Sequence, residues 1–228
     1  MTGQSYLALR RVIDLIIVVI ALPLLAPLGF VLAVAVAVVD RHNPLVRLRR
    51  CGRNRQELHI TKLRTMRGNP LSGSAVTSSH DQRVTALGNR LRDWRLDEIP
   101  QTIDILQAKM ALIGPRPEDP SFVGPGDPRW DKVLRARPGI AGLSQIVAAP
   151  WEAKNLTDDV EDLYVKVALP AKLAIDSWYV DNASAQVDWI IVTSLARMML
   201  GHDEWTRAHD LITSNVPEAV ALCAAPVG

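Results

Sequence analysis

The chain of 228 residues is poor in cysteine, with two, and in aromatic residues, which make up 5%. Cys51 and Cys223 lie far apart with no CxxC spacing, so the sequence suggests neither a disulfide framework nor a cysteine zinc site. A reducing, cytoplasmic setting for the soluble part is expected. Internal repeats and low-complexity tracts are lacking, and the net charge is only +2. The length admits one ordinary domain, or one domain with a membrane element, and excludes a many-span transporter or a multi-domain machine. With 48% hydrophobic and 22% charged residues, the composition is that of a folding chain, not a disordered one.

Charge is wholly absent from one stretch. Residues 15–39, LIIVVIALPLLAPLGFVLAVAVAVV, hold no charged side chain, and their length exceeds the roughly 20 residues a bilayer crossing needs. A signal peptide would have a shorter apolar core and a cleavage site before a mature domain; here a basic segment follows directly. Arg10 and Arg11 precede the stretch and Arg41 follows it, so a simple span would put one cluster on the far side, against the positive-inside bias. Pro23 and Pro27 interrupt the donor ladder, and Leu22, before a proline, is biased away from helix. A helix that enters, kinks at Pro23 and returns to the same face accommodates both observations; an ordinary kinked span is the competing reading. Asp14 is expected to pair with Arg10 or Arg11 at the interface.

The small net charge hides an uneven distribution. Residues 1–149 carry 21 Lys and Arg against 12 Asp and Glu, and residues 150–228 carry 5 against 12. The densest block is Arg41, Arg47, Arg49, Arg50, Arg53, Arg55, Lys62, Arg64 and Arg67, opposed only by Glu57. Beside a membrane segment it reads as a contact for anionic headgroups or phosphate-bearing ligands, or simply as the cytoplasmic orientation signal.

Leu58, Ile60 and Leu63 mark a strand or hairpin arm, and residues 67–82 read as a surface loop. Ile99, Ile103, Leu106 and Met110 recur at helical spacing, with Asp97 as N-cap and Pro100 in the first turn, so a helix is expected from Asp97 to about Ile113. Arg137-Pro138-Gly139 marks a turn. The rest is helix-favouring and ends in an apolar stripe of Val187, Ile190, Ile191, Ser194, Leu195 and Met198, suited to the core or to lying on a bilayer with Trp189 at headgroup level. The expected fold is mainly α with a small β element (α+β). Residues 1–40 would be a re-entrant membrane helix, 41–213 a compact cytoplasmic domain with interfacial amphipathic helices, and 214–228 a loosely ordered tail.

Asp97 and Glu98 are adjacent acids at a helix start, where free amides keep a carboxylate ionised, as a nucleophile requires. Such a pair is commonly no more than a cap and a first-turn acid. Its company points further: Arg92 and Arg95 precede it, and Arg116 is fixed between Pro115 and Pro117, a setting suited to bidentate phosphate binding.

Leu91-Arg92, Leu96-Asp97-Glu98-Ile99-Pro100-Gln101, Met110, Ile113-Gly114-Pro115-Arg116-Pro117-Glu118 and Arg137-Pro138-Gly139-Ile140-Ala141-Gly142 together resemble the bacterial sugar transferases, the monotopic phosphoglycosyl transferases. The likeness continues through Arg11, Asp14, Pro23 and Lys62-Leu63-Arg64-Thr65-Met66, then Tyr164, Leu169-Pro170, Lys172, Asp176, Tyr179-Val180 and Asp188. It implies an enzyme of the bacterial inner membrane with its catalytic domain on the cytoplasmic face. Such an enzyme moves a sugar-1-phosphate from a nucleotide-sugar donor, usually a UDP-sugar, to a polyprenyl phosphate acceptor such as undecaprenyl phosphate, giving UMP and opening exopolysaccharide, O-antigen, capsule or glycoprotein glycan synthesis. By that likeness Asp97 carries a covalent phosphosugar, and Glu98 either holds Mg²⁺ or assists deprotonation of the acceptor. Asp97 and Glu98 would be the metal ligands, since Mg²⁺ takes one or two carboxylates plus substrate phosphates. Lys62, Arg64, Arg92 and Arg116 would cradle phosphates.

The chain departs from that pattern at Asp104, Ala108-Lys109-Met110-Ala111 and Ala141, and at Leu58 and Leu63, where aromatic residues are usual. It resembles the small, minimal form of the family. The departures motivate one alternative, a catalytically silent membrane-anchored scaffold of a glycan-assembly complex. No nucleic-acid-binding pattern is present, the identity of the sugar is not readable, and a homodimer stays open.

Overall fold

A computed structural model describes residues 3–68, 76, 81–124, 126–156, 160–201 and 206–223. The chain runs from helix α1 (Gly3–Val39) through strands β1 (Leu45–Cys51) and β2 (Glu57–Leu63) to helices α2 (Ala86–Asp93) and α3 (Thr102–Leu106). Strand β3 (Ala111–Ile113), helix α4 (Arg129–Val133) and strand β4 (Gly139–Ala141) follow. The remainder is helical: α5 (Leu143–Asn155), α6 (Val160–Leu163), α7 (Leu169–Asn182), α8 (Ala185–Met199), α9 (Arg207–Asn215) and α10 (Val220–Cys223). This is the mainly α, small β architecture expected. The surface loop expected at 67–82 lies largely outside the described residues.

Helix α1 is the one helix among the described residues long and apolar enough to cross a membrane, and Ile20, Leu24 and Phe30 are exposed along it. It is unbroken through Pro23 and Pro27. Leu22 is therefore helical, not displaced by the proline after it. Each proline removes one amide and frees one carbonyl, of Val19 and Pro23 respectively; the intact bonds of the adjoining turns keep the helix, which is the only satisfied backbone for a segment in lipid.

Both ends of α1 dock on the same globular unit. The Arg10 guanidinium donates to Tyr179 Oη at 2.5 Å, to Asp188 Oδ2 at 2.9 Å and to the Ile113 carbonyl. Tyr6 donates to Asp188 at 2.8 Å, and Asp14 lies 3.8 Å from Arg10, the pairing expected. Midway, Val18 is buried with Leu58, Ile60, Ile105 and Met110. At the far end Val36 packs on Leu63 and Leu91, and Asp40 accepts from the Thr85 hydroxyl at 3.1 Å.

β1 and β2 form an antiparallel hairpin with Leu45 opposite Leu63 and Cys51 opposite Glu57. The arm expected around Leu58, Ile60 and Leu63 is β2, in which those three side chains are the buried ones. Its partner was hidden inside the basic block: Leu45, Arg47 and Arg49 face solvent while Val46, Leu48 and Arg50 turn inward. Several of these cations are matched by protein carboxylates, Arg50 with Asp119 and Arg55 with Asp131, both at 2.9 Å.

The helix expected from Asp97 to about Ile113 is instead three short elements. Leu96–Gln101 is a 3-10 helix with Arg95, not Asp97, at its N-cap; α3 ends at Leu106 and 111–113 is a strand. The expected stripe is only partly internal, because Met110 is buried while Ile103 is 55% exposed. The inward face is made by Gln101, Thr102, Asp104 and Ile105, so polar residues follow the core period there and the apolar spacing misleads. Ala108 breaks the helix in left-handed conformation, with φ 61, where an L side chain costs about 1 kcal/mol or more and glycine nothing. Ala108→Gly is expected to raise the melting temperature by about 1–3 °C in a thermal scan, the strain relief exceeding glycine's extra unfolded-state entropy.

β3 and β4 are parallel, with Ala111 opposite Gly139 and Ile113 opposite Ala141. Around them the main core gathers α5, α7, α8, α9 and α10. In α8 the expected stripe packs inward through Val187, Ile191 and Ser194 while Trp189 is 65% exposed. The stretch expected to be a loose tail from 214 is helical through Cys223, because Val216, Ala219, Leu222 and Cys223 supply an apolar face that fills this core. Both cysteines are buried free thiols.

Candidate active site

β2, the 3-10 helix Leu96–Gln101, the Pro115-Arg116-Pro117 turn, α5 and α7 enclose a cleft of about 1200 Å³. All six residues singled out from the sequence, Lys62, Arg64, Arg92, Asp97, Glu98 and Arg116, line it. Their convergence follows from the topology: the 3-10 helix packs along β2, which carries Lys62 and leads into Arg64.

Asp97 and Glu98 are both buried, yet their surroundings differ. Glu98 is held at both oxygens, Oε1 by Lys62 Nζ at 2.7 Å and Oε2 by Arg95 at 2.8 Å. Burial alone would raise its carboxyl, but Lys62 and Arg95 outweigh that and bring it down to about 2. Asp97 has Lys62 Nζ at 3.6 Å as its nearest ion-pair partner. Burial pushes its carboxyl up, with Lys62 opposing and the neighbouring Glu98 adding to the rise. Two adjacent carboxylates thus separate into one that is locked and one that is loosely held, and loosely held ionised carboxylates make nucleophiles.

The cations also divide by role. Arg95, not among the expected phosphate ligands, sits at φ 52, a conformation uncommon for a residue with a side chain. It is tied by Glu98 and by the Ile140 carbonyl at 2.9 Å. Arg92 donates to Thr65 Oγ1 at 2.9 Å. Arg64 spends two donors on the Asn43 and Gly68 carbonyls. The Arg116 guanidinium makes no hydrogen bond or close ion pair with any described residue, although it lies within electrostatic reach of Glu98, Glu118, Tyr164 and Glu152. An arginine in that state is an open fork for a planar or tetrahedral anion.

Behind Arg116 the site holds a network that the composition did not reveal. Lys172, buried on α7, reaches Glu152 Oε1 at 2.9 Å, Tyr164 Oη at 3.2 Å and Glu118 Oε1 at 3.7 Å. Tyr164 donates to Glu118 Oε1 at 2.9 Å. One helical turn on, burial pushes the Asp176 carboxyl up to about 7. Tyr164, Lys172 and Asp176 stand in the ordered motif set but with no task attached, and by spacing alone a lysine and an aspartate four apart in an apolar run look equally like a surface pair.

A family profile described as bacterial sugar transferase matches residues 5–202. Among curated proteins, the chain is 33% identical over 200 residues to the Aeromonas hydrophila "UDP-N-acetylgalactosamine-undecaprenyl-phosphate N-acetylgalactosaminephosphotransferase", covering 86% of this chain and 44% of that protein. It is 30% identical over 199 residues to the "Exopolysaccharide production protein ExoY" of Sinorhizobium fredii, covering 80% and 81%. Against the Caulobacter vibrioides "UDP-glucose:undecaprenyl-phosphate glucose-1-phosphate transferase" it is 33% identical over 142 residues, covering 60% and 53%. The chain thus spans less than half the length of the first of these relatives and about four fifths of the second.

Proposed function

The chain belongs to the bacterial sugar transferase family, and from that premise we propose that it is a phosphoglycosyl transferase moving a sugar-1-phosphate from a UDP-sugar to undecaprenyl phosphate. The observation that carries the reading is the asymmetry of the acidic pair, a locked Glu98 beside a loosely held Asp97 in a cleft lined by cations. An Asp97 oxygen attacks the phosphorus that bears the sugar. The bond from that phosphorus to the bridging oxygen breaks, UMP leaves with the electron pair, and an aspartyl phosphosugar remains. A phosphate oxygen of the polyprenyl acceptor then attacks the same phosphorus and releases the Asp97 carboxylate, giving the polyprenyl diphosphate sugar.

Arg116, whose guanidinium bonds none of the described residues, binds the diphosphate, and Arg92 supports Asp97 electrostatically. Lys62, bonded to Glu98 and 3.6 Å from Asp97, favours the ionised form of Asp97 without locking it in place. With both oxygens taken and its carboxyl near 2, Glu98 is a poor base; its work is to hold Lys62 and Arg95 in place.

Among the described residues no three acidic, histidine or cysteine side chains group as a metal cage. Two adjacent carboxylates suit Mg²⁺, which completes its shell from substrate phosphates and water. Asp97 would be the open ligand, and Glu98 would join it only where Lys62 or Arg95 yielded an oxygen. When bound, the ion offsets repulsion between a carboxylate and a diphosphate.

Both ends of α1 dock on one globular unit through Arg10 and Asp40, which supports a membrane segment that enters and leaves on one face, the cytoplasmic face of the inner membrane. Of the residues that depart from the family pattern, Leu63 lines the cleft, while Leu58, Asp104, Ala108, Lys109, Ala111 and Ala141 do not, so the changes around Lys109 give the silent-scaffold reading no support. Purified protein given a panel of radiolabelled UDP-sugars, Mg²⁺ and undecaprenyl phosphate is expected to move label into the organic phase with at least one donor. Label that stays aqueous across the panel overturns the reading.

A further inference from the structure

The cleft is lined largely by charged groups, yet two neutral polar side chains in its walls have nothing to bond. Gln101 is 2% exposed and Gln145 8%, and Gln101 Nε2 and Gln145 Oε1 are buried without a hydrogen-bond partner among the described residues. Six side-chain atoms there are in that state, and only these two belong to residues that line the cleft. A buried carboxamide left unpaired weakens a fold, so stability does not account for either; a ligand in the cleft would complete both. Gln101 closes the 3-10 helix that carries Asp97 and Glu98. Residues three apart eclipse in that geometry, so Gln101 follows Glu98 on one face and stands roughly 8 Å along the axis from Asp97. Gln145 lies in the first turn of α5, which Gly142 opens directly after β4. A Cβ at Gly142 would lie 3.3 Å from Gln145 Oε1 and 3.6 Å from the Arg116 nitrogen, so the Gln145 carboxamide packs over bare backbone beside the Arg116 turn. Arg95 joins the two walls by bonding both Glu98 and the Ile140 carbonyl of β4. One glutamine thus shares the element of the nucleophile, and the other adjoins the open arginine fork.

We propose that Gln101 and Gln145 recognise the hexose of the donor, their carboxamides bonding its hydroxyl or N-acetyl groups. Charge and place both argue for the sugar. The cations of the cleft answer the diphosphate, whereas a neutral carboxamide offers one donor group and one acceptor, and a half-turn about its last bond presents either. A sugar hydroxyl is likewise both donor and acceptor. The phosphorus that Asp97 attacks bears the sugar, so the hexose begins at the reacting atom and the uridine only beyond a second phosphate. Groups flanking Asp97 and Arg116 therefore meet the hexose first. The inference rests on the phosphoglycosyl transferase reading, since it needs a phosphosugar at Asp97. It also supplies a source of donor selectivity, because a ligand without the matching hydroxyl leaves a buried carboxamide unpaired again.

The test compares two ligands that differ only by the sugar. Equilibrium affinities for UDP and for the UDP-hexose bound most tightly in the donor panel are measured on the full chain in detergent micelles, without Mg²⁺ and in an Asp97→Asn background that keeps the donor uncleaved. Gln101→Met and Gln145→Met are each expected to weaken UDP-hexose binding about tenfold, the worth of a hydrogen bond together with a ligand hydroxyl left unpaired. UDP affinity is expected to stay within about twofold. Methionine is close to glutamine in length and each change removes an unpaired buried atom, so neither variant is expected to melt below its background. Gln101→Asn and Gln145→Asn draw the carboxamide back by one methylene and give the same comparison where a methionine variant does not melt cooperatively. Equal losses for UDP and UDP-hexose place the contact on the nucleotide or in the fold and overturn the proposal, as does unchanged affinity for both. If the background chain with both glutamines intact binds neither UDP nor any UDP-hexose, the transferase reading beneath the proposal fails instead.

Discussion

Asp97→Asn is expected to abolish transfer of label to undecaprenyl phosphate, by at least about 10⁴-fold, while UDP affinity measured without Mg²⁺ stays within about threefold. The amide has the shape of the carboxylate and none of its nucleophilicity, and the groups that hold the diphosphate are elsewhere. Nor should the fold suffer. The Asp97 carboxyl is raised by burial, so its ionised form is less favourable in the folded chain than in the unfolded one at neutral pH, and replacing it by a neutral isostere removes that cost. Lys62 keeps its shorter contact, the one to Glu98 at 2.7 Å. A melting temperature equal to or above that of the parent, with activity lost, separates a missing nucleophile from a damaged protein. The same shift fixes the direction of the pH profile: because Asp97 must be ionised, kcat/KM should fall with acidification at a pH above that of an ordinary aspartate. A variant that still forms labelled lipid product means direct transfer between donor and acceptor, with Asp97 in some role other than nucleophile. Mass spectrometry of the parent protein quenched without acceptor, with the phosphosugar expected on Asp97, gives the complementary result.

How far the site was legible from the sequence depends on what kind of fact is asked for. The identity of its residues was carried by ordered motifs, and Lys62, Arg92, Asp97, Glu98 and Arg116 do share one cleft. Their relationships were not legible, because they arise from backbone geometry that leaves little trace in composition. Arg95 adopts a left-handed conformation, which no residue-type preference would suggest for arginine, and that single dihedral turns its guanidinium onto Glu98. The 3-10 geometry of Leu96–Gln101 moves Asp97 out of the capping role that its position before Pro100 suggested. β1 was obscured because three arginines, Arg47, Arg49 and Arg50, overlie a period-2 pattern, and charge draws attention before alternation does. The last helices were missed for the opposite reason. Val216, Ala219 and Leu222 are small or medium apolar residues in a stretch rich in Ala, Val and Pro, and only the main core shows that they complete it.

Gly139→Ala is expected to be strongly disruptive although it adds a single methyl group. A Cβ at Gly139 would lie 2.1 Å from the Gly114 nitrogen and 2.7 Å from Gly114 Cα and the Ile113 carbonyl carbon. These are backbone atoms, so no rotamer change relieves the overlap and β3 must move away from β4. That movement strains three hydrogen bonds, Ala111 N to Pro138 O, Gly114 N to Ala141 O and Gly139 N to Pro115 O, each at 2.9 Å. With unsatisfied buried groups costing about 1–3 kcal/mol each, a loss of roughly 3–5 kcal/mol follows, or about 10 °C or more in melting temperature for a chain of this size. Gly124→Ala serves as the control, because a Cβ there meets nothing within 4 Å; it is expected to change stability by less than about 0.5 kcal/mol. The functional consequence should exceed the thermodynamic one. Gly114 is two residues from Arg116, and the Gly139 amide donates to the Pro115 carbonyl, so separating the strands displaces the turn that carries Arg116. Even the folded fraction of Gly139→Ala should therefore bind UDP about tenfold or more weakly. Unchanged affinity in that fraction would mean that the β3–β4 pair does not place Arg116.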